Sequence, residues 1–311
     1  MSADHYLVFE TGGTKLVAGV AGPDARLLEV DVFPRVAEHR GEQSLARLIT
    51  AGQTLRAKYE KQGSAFAAIG FGYGGGFDRA SGHPLVCLHE PGWEDFHIAG
   101  RLTEVFELPA AVDNDCKVAA LGEAHFGAGR EARSVFYVTL GTGIGGGFVR
   151  DGKIVELSPR GECELGHIQV LPQGPPCVCG GCGCVEALSS GPGLHATAGW
   201  LNGGDNPFAD AREILEAWRA GDALAARTVE LAANGLAQGL AAVISLFAPE
   251  LIVIGGGLGA GNPDYLEQVE RRMRPLITPY FRDHWRMAVS ELGERVVTQG
   301  AAVLAMAACE D

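Results

Sequence analysis

The chain has 311 residues, 47% hydrophobic and 20% charged, so it can bury a sizeable core and does not have the composition of a disordered chain. Its formal net charge is −13 with no basic patch or arm, which argues against nucleic acid as a partner but leaves room for a bound nucleotide held by a few oriented donors. The apolar runs are interrupted short of a membrane span, and Met1-Ser2-Ala3-Asp4-His5 has no leader character, so a soluble, cytoplasmic chain of two ordinary domains is expected.

Residues 6–9 and 16–20 read as strands around Thr11-Gly12-Gly13-Thr14, a hairpin with a glycine turn. A helix at 41–63 precedes a strand at 67–73 that runs into Gly74-Gly75-Gly76. A helix at 97–107, a short strand at 110–113 and a helix at 116–126 follow, so this half reads as a mixed sheet with helices packed on it. The second half opens the same way: strand 134–140, the turn Gly141–Gly147, and strand 147–156. Helices at 191–200, 208–220 and 224–247 come after a cysteine-rich loop. Strand 251–254 then enters Gly255-Gly256-Gly257, and helix 263–275 and a last strand plus helix close the chain. Each half thus begins strand, glycine turn, strand, a weak internal repeat. The boundary is expected near 115–130 as a tight hinge, since no Pro/Ser-rich linker marks it.

The cysteine loop carries the most specific chemistry. Glu164-Leu165-Gly166-His167 is followed by Cys177, Cys179, Cys182, Cys184 and Glu186. Thiolate and imidazole are the ligands that tetrahedral zinc prefers. Clustered cysteines in a chain with no export signal point to metal rather than disulfides. Five candidates compete for four places; an all-sulfur site from so short a segment would strain the backbone, which favours His167 as the fourth ligand and leaves one cysteine spare. A closed four-ligand site has no position for catalytic water, so the metal is structural.

Three glycine segments suit phosphate. Glu10-Thr11-Gly12-Gly13-Thr14-Lys15 is either a plain hairpin or a phosphate cradle, with Glu10 near the metal that travels with the nucleotide. Gly141-Thr142-Gly143-Ile144-Gly145-Gly146 matches GxGxxG, but a strand rather than a helix follows it, which rejects a Rossmann site. Gly255-Gly256-Gly257 lies between a strand and a helix, where a nucleotide can rest on exposed backbone. Between these, Asn114-Asp115 ends a strand and starts a helix. Asp115 there is either an N-cap or a general base for a sugar hydroxyl, with Asn114 orienting the sugar.

Taken in order, these segments resemble the ROK family of sugar kinases, with its relatives among repressors and acylmannosamine kinases. The resemblance rests on the first glycine turn, Gly74–Asp78, Pro91-Gly92-Trp93, Asn114-Asp115 and Gly141–Gly147. The Glu-Leu-Gly-His and CxCGxxGCxE signature and Gly255–Gly257 complete it. It implies an α/β, actin-like ATPase (ribonuclease H-like) fold of two domains with substrate and nucleotide in the interdomain cleft. The lobes would be 1–117, completed by a C-terminal helix at 298–311, and 118–297. It implies ATP with Mg²⁺ as phosphoryl donor, Asp115 as the base at a hexose 6-hydroxyl, and Gly75, Asn114, Glu164, His167 and Glu186 as sugar ligands. It assigns structural zinc to His167, Cys177, Cys179 and Cys184, leaving Cys182 spare.

Three positions depart from the family pattern. Glu10 stands where Asp is usual, similar to the fructokinase branch; His89-Glu90 replace Asn-Leu before the Pro-Gly-Trp turn; Cys163 stands where glycine is common. Glucose is the first expected substrate, then fructose, then N-acetylmannosamine or N-acetylglucosamine. A homodimer is the usual assembly. A sugar-sensing repressor is the rival from another class, but the first strand begins at Tyr6, leaving no room for a helix-turn-helix, and the acidic balance disfavours DNA. A silent sugar-binding protein is disfavoured by the intact Asn114-Asp115 pair.

Overall fold

Leu7-Val8-Phe9 and Leu16-Val17-Ala18 are apolar on both sides of the first glycine turn, and both runs are fully buried strand. The computed structural model describes residues 5–36, 38–86, 91–94 and 96–309. In it β1 (His5–Thr11) and β2 (Lys15–Ala21) pair antiparallel with Thr11 opposite Leu16. β3 (Leu27–Pro34) adds to β2, and α1 (Gly41–Glu60), β4 (Phe66–Tyr73), β5 (Gly76–Asp78) and β6 (His83–Val86) follow. Then come α2 (Ile98–Phe106), β7 (Ala110–Asn114) and α3 (Asp115–Phe126). The second half runs β8 (Ser134–Leu140), β9 (Ile144–Arg150), β10 (Lys153–Ile154), a 3₁₀ turn at Leu165–His167, and α4 (Val185–Ser189). α5 (Gly191–Leu201), α6 (Ala211–Arg219), α7 (Ala223–Phe247), β11 (Leu251–Gly255), α8 (Gly257–Ala260), α9 (Pro263–Met273), β12 (Arg286–Val289) and α10 (Val296–Ala307) complete it.

The repeat seen in the glycine turns extends to the sheets. One has the order β3-β2-β1-β4-β7 and the other β10-β9-β8-β11-β12. In the first, β4 is parallel to β1 and β7; in the second, β11 is parallel to β8 and β12. β3 was missed by the sequence reading, although Leu28-Glu29-Val30-Asp31-Val32 alternates apolar and polar as an edge strand should. The expected strand 147–156 is two strands. Asp151 and Gly152 take φ of 49° and 77°, and this left-handed turn separates β9 from β10.

The chain forms two compact units. The first comprises residues 1–133, 147–162 and 294–311; the second comprises 134–146 and 163–293. Both units are discontinuous; the sequence reading had 1–117 with a returning C-terminal helix at 298–311, and 118–297. In the first unit, Phe9, Phe71, Phe106 and Trp93 pack with Leu48 and Ile98 under α1 and α2, each burial contributing about 2–3 kcal/mol. On the sheet's other face α10 lies close against β4 and α3: a Cβ at Gly70 would sit 1.8 Å from the Ala301 carbonyl oxygen, and one at Gly300 the same distance from that of Val118.

In the second unit, α7 is long and apolar enough to cross a membrane by length and composition, which the sequence reading had not recognised. Its Ala233, Leu236, Leu240 and Ile244 are instead buried, and α4, α5, α6 and α9 pack against it. That makes it the core helix of this unit.

Candidate active site

The first unit presents two candidate segments. In the β1–β2 turn, Gly13 and Thr14 are exposed and Gly12 is half-buried, while Gly12 N–H donates to the Lys15 carbonyl at 2.9 Å. Thr11 Oγ1 accepts from Gly74 N–H at 3.1 Å, so the turn is fixed to the end of β4. Glu10 is 4% exposed. Its Oε2 accepts from the Thr298 hydroxyl at 2.6 Å and its Oε1 lies 3.6 Å from Lys15 Nζ. Burial raises the Glu10 pKa, and Lys15 and Thr298 only partly oppose this. Glu10 therefore stands behind the turn rather than on its surface.

The second segment is the β7–α3 junction. Asn114 caps α3: its Oδ1 accepts from Cys116 N–H at 3.0 Å and from Lys117 N–H at 3.4 Å. Asn114 Nδ2 donates to the Gly75 carbonyl at 3.0 Å, which brings Gly75 and Asn114 together as expected. Asp115 is not the N-cap, the first of its two alternatives. It is the first helical residue, half-buried, with Oδ1 accepting from Cys116 N–H at 2.8 Å.

Beneath this junction lies a charge network that the sequence reading missed. Arg79 Nε donates to Asp113 Oδ2 at 3.0 Å, and its Nη1 and Nη2 bind Glu162 Oε2 and Oε1 at 3.1 and 3.0 Å. Lys117 Nζ is 3.4 Å from Glu162 Oε1. All four side chains are at most 12% exposed. Burial raises the Asp113 pKa despite its two cations. For Glu162 burial also acts upward, but Arg79 and Lys117 outweigh it and lower the pKa. No local motif marks these residues; the signal is four charges scattered over more than 80 positions.

The second unit gathers the other two glycine turns. Gly141 carbonyl accepts from Gly191 N–H at 2.8 Å, and Gly141 N–H donates to the Gly143 carbonyl at 3.1 Å. Glu186 Oε2 accepts from Ile144 N–H at 2.8 Å, so this carboxylate holds the turn. Gly256 has φ 79° and a Cβ there would lie 2.4 Å from the Leu140 carbonyl oxygen, so only glycine lets β11 turn this close to β8. The result is a pocket of about 570 Å³ lined by Gly141, Thr142, Pro192, Arg212, Gly257 and Leu258 among others. Its size and exposed backbone suit a nucleotide.

The cysteine loop is a short knuckle. Cys177 N–H donates to the Gly181 carbonyl and Gly183 N–H to that of Pro175, at 2.9 and 2.8 Å. The ligand atoms of His167, Cys177 and Cys179 lie within 4.8 Å of one another. His167 Nδ1 is 3.8 Å from Cys177 Sγ, and Cys179 Sγ is 3.7 Å from Cys184 Sγ. A tetrahedral zinc separates two sulfurs by about 3.8 Å and sulfur from nitrogen by about 3.5 Å, so the donor set fits that ion. Burial, then Cys177 and Cys179 nearby, push the Cys184 thiol up to about 12, whereas a backbone hydrogen bond at Gly181 and the Cys177 thiol lower that of Cys179. Cys182 Sγ accepts instead from Gln169 Nε2 at 3.5 Å, apart from the four. Glu164 is exposed and begins the 3₁₀ turn that carries His167. His89 and Glu90 lie outside the described residues.

The sequence matches the ROK family over residues 6–308. The chain belongs to the ROK family. This ROK protein is 30% identical to a glucokinase of Halalkalibacterium halodurans, over 94% of the chain and 92% of the relative. It is 32% identical to an N-acetylmannosamine kinase of Citrobacter koseri, over 94% and 98%. A ROK hexokinase from Thermus thermophilus superposes with a TM-score of 0.86 at 34% identity, covering 99% of both chains. A ROK glucokinase from Streptomyces griseus, solved with glucose and AMPPNP, gives 0.73 at 29%, covering 97% and 99%. The ROK protein accordingly has the α/β, actin-like ATPase fold that its motifs implied.

Proposed function

We propose that this protein is a hexose kinase that moves the γ-phosphoryl group of ATP to the 6-hydroxyl of a sugar, glucose first. The observation that carries this is the β7–α3 junction: Asn114 is the N-cap of α3 and is bonded to the Gly75 carbonyl, and Asp115 sets a half-buried carboxylate at the first helical position beside it. Asp115 would take the proton of the 6-hydroxyl as that oxygen attacks the γ-phosphorus, and the bond to the β–γ bridging oxygen breaks. Gly75, Asn114, Glu164, Glu186 and His167 Nε2 would hold the other hydroxyls.

The pocket at Gly141, Thr142 and Gly257 supports ATP as donor, with Thr11–Lys15 reserved for its phosphates. Mg²⁺ neutralises phosphate charge when bound. Glu10, paired with Lys15 and Thr298, fits a metal-bound water rather than the ion itself. His167, Cys177, Cys179 and Cys184 would hold zinc, which braces the segment that carries His167 and leads into Glu186. A cytoplasmic location belongs to this reading, since thiolate ligands persist in a reducing compartment. The homodimer belongs to the same reading and is open to light scattering.

Similarity to an N-acetylmannosamine kinase supports that hexosamine as the second reading. The test is ADP release with ATP and Mg²⁺ over glucose, fructose, mannose and the two N-acetylhexosamines, alongside calorimetric sugar binding. Asp115→Asn should lower kcat by about 10³-fold or more while sugar still binds. Near-normal turnover in that variant would remove Asp115 from the mechanism.

A further inference from the structure

We infer that Arg79 is the positioning residue for the sugar site, a clamp that sets the Asn114-Asp115 pair and the start of the Glu164 segment with one guanidinium. The inference rests on the sugar-kinase reading and adds to it a residue that touches neither sugar nor nucleotide.

The geometry is that of a bridge. The Arg79 fork makes two parallel bonds to Glu162 and a third to Asp113. Asp113 in turn accepts from Asn114 N–H through its other oxygen, Oδ1, at 2.7 Å. One carboxylate therefore ties the guanidinium to the backbone of the residue that caps α3, directly before Asp115. On the other side, Glu162 stands two residues before Glu164. Cys163, between them, has φ 66°, a conformation a side chain holds only when its surroundings impose it. Arg79 itself is fixed at three further points: its N–H donates to the Pro159 carbonyl at 2.8 Å, its Nη1 reaches that of Ser158 at 3.4 Å, and β5 leads straight into it. Gly161, at φ 101°, turns this strap beneath Lys117; a Cβ there would meet Lys117 Nζ at 3.3 Å.

Charge explains why arginine is needed. Asp113 and Glu162 are buried carboxylates that both contact Arg79, and the Lys117 ammonium pairs at 3.4 Å with Glu162 while acting on Asp113 through its charge. Arg79 binds both, and its planar fork matches Glu162 in the bidentate geometry that lysine cannot reproduce. Burial alone would lower its pKa, but the two carboxylates hold the guanidinium charged throughout. Without it the two carboxylates repel, and the ends of β7 and of the 155–162 strap separate.

The experiment compares Arg79→Met, Arg79→Lys and Glu162→Gln with wild type, reading KM for sugar, KM for ATP, kcat, calorimetric sugar Kd, and Tm. A loss of sugar affinity of about tenfold or more, with KM for ATP moved by less than about twofold, is the expected split; a displacement of an ångström is enough for a change of this order or larger. Arg79→Lys should recover the charge and part of the kcat but not the full sugar affinity. Glu162→Gln keeps Asp113 paired with Arg79, so it is the milder perturbation of the fold, and it should show the same split in milder form. Equal loss in both KM values, or sugar Kd unchanged in a folded Glu162→Gln protein, would overturn the clamp. Sugar Kd is read without turnover. A wild-type protein that binds hexose and does not phosphorylate it would sink the kinase reading alone, and the Kd comparison would still decide the clamp.

Discussion

Gly166 offers the sharpest test of how the second unit is assembled. A methyl group there would sit 2.1 Å from the Ile144 carbonyl oxygen and 3.3 Å from Glu186 Cβ. Carbon and carbonyl oxygen approach to about 3.3 Å in folded proteins, so Gly166→Ala must open this contact by about 1.2 Å. His167 is the next residue on one side. On the other, Ile144 N–H is the donor that Glu186 accepts. The forced shift thus separates the proposed zinc ligand His167 from the carboxylate that holds the Gly141–Ile144 turn. Overpacking of this size costs about 1–3 kcal/mol of stability, which a folded domain survives. Displacing binding groups by an ångström costs about 100-fold in kcat/KM. The assay is steady-state phosphorylation of the preferred sugar, with Tm and zinc content measured on the same preparation. A Gly166→Ala protein that stays folded, keeps its zinc and retains kcat/KM within about threefold of wild type would refute the reasoning, because the close approach would then have no bearing on the site.

Three other outcomes are expected. Cys179→Ser should lose zinc and sugar affinity together, by metal analysis and calorimetry, because the loop's backbone bonds alone do not hold His167; retained sugar affinity in the metal-free variant would separate the two. Gly256→Ala must leave φ 79° and clear the Leu140 carbonyl, so KM for ATP should rise about tenfold or more with sugar Kd unchanged; an unaltered KM for ATP would place the nucleotide elsewhere. Glu10 has a folded-state pKa raised above its ordinary 4.5, so its contribution to stability is full below that pH and is lost as pH rises through the folded value. Glu10→Gln, which stays neutral, should therefore match wild type in Tm at acid pH and exceed it towards neutrality; a deficit that grows as pH rises would show that Thr298 and Lys15 outweigh burial.

Much of this was legible because the signals are local. Four cysteines and a histidine within eighteen positions mark a candidate metal loop whatever the rest of the chain does. The strand, glycine turn, strand pattern marked both hairpins, and the matching sheet orders are its continuation in space. The Asp115 ambiguity could not be resolved from spacing, since Asn114 and Asp115 are equally good caps and only the backbone decides which one precedes the helix. β3 was lost for a different reason: three of its residues are charged or turn-forming, and only its pairing with β2 overrides them. The Arg79 network was invisible because Arg79 and Glu162 are 83 residues apart, and a lone charge in a glycine-rich loop reads as solvated.

The discontinuous first unit has a consequence for synthesis. Glu10 is hydrogen-bonded to a threonine 288 residues further on, and α10 covers β4 and α3. At about 5–20 residues per second, a ribosome takes roughly 15–60 s to travel that distance. Through that interval the sheet face that α10 will cover is exposed, while all of the second unit emerges before α10 does. The nascent chain therefore has a window in which that face is available to chaperones or to a neighbouring nascent chain, and loss of the last sixteen residues would leave it open for good.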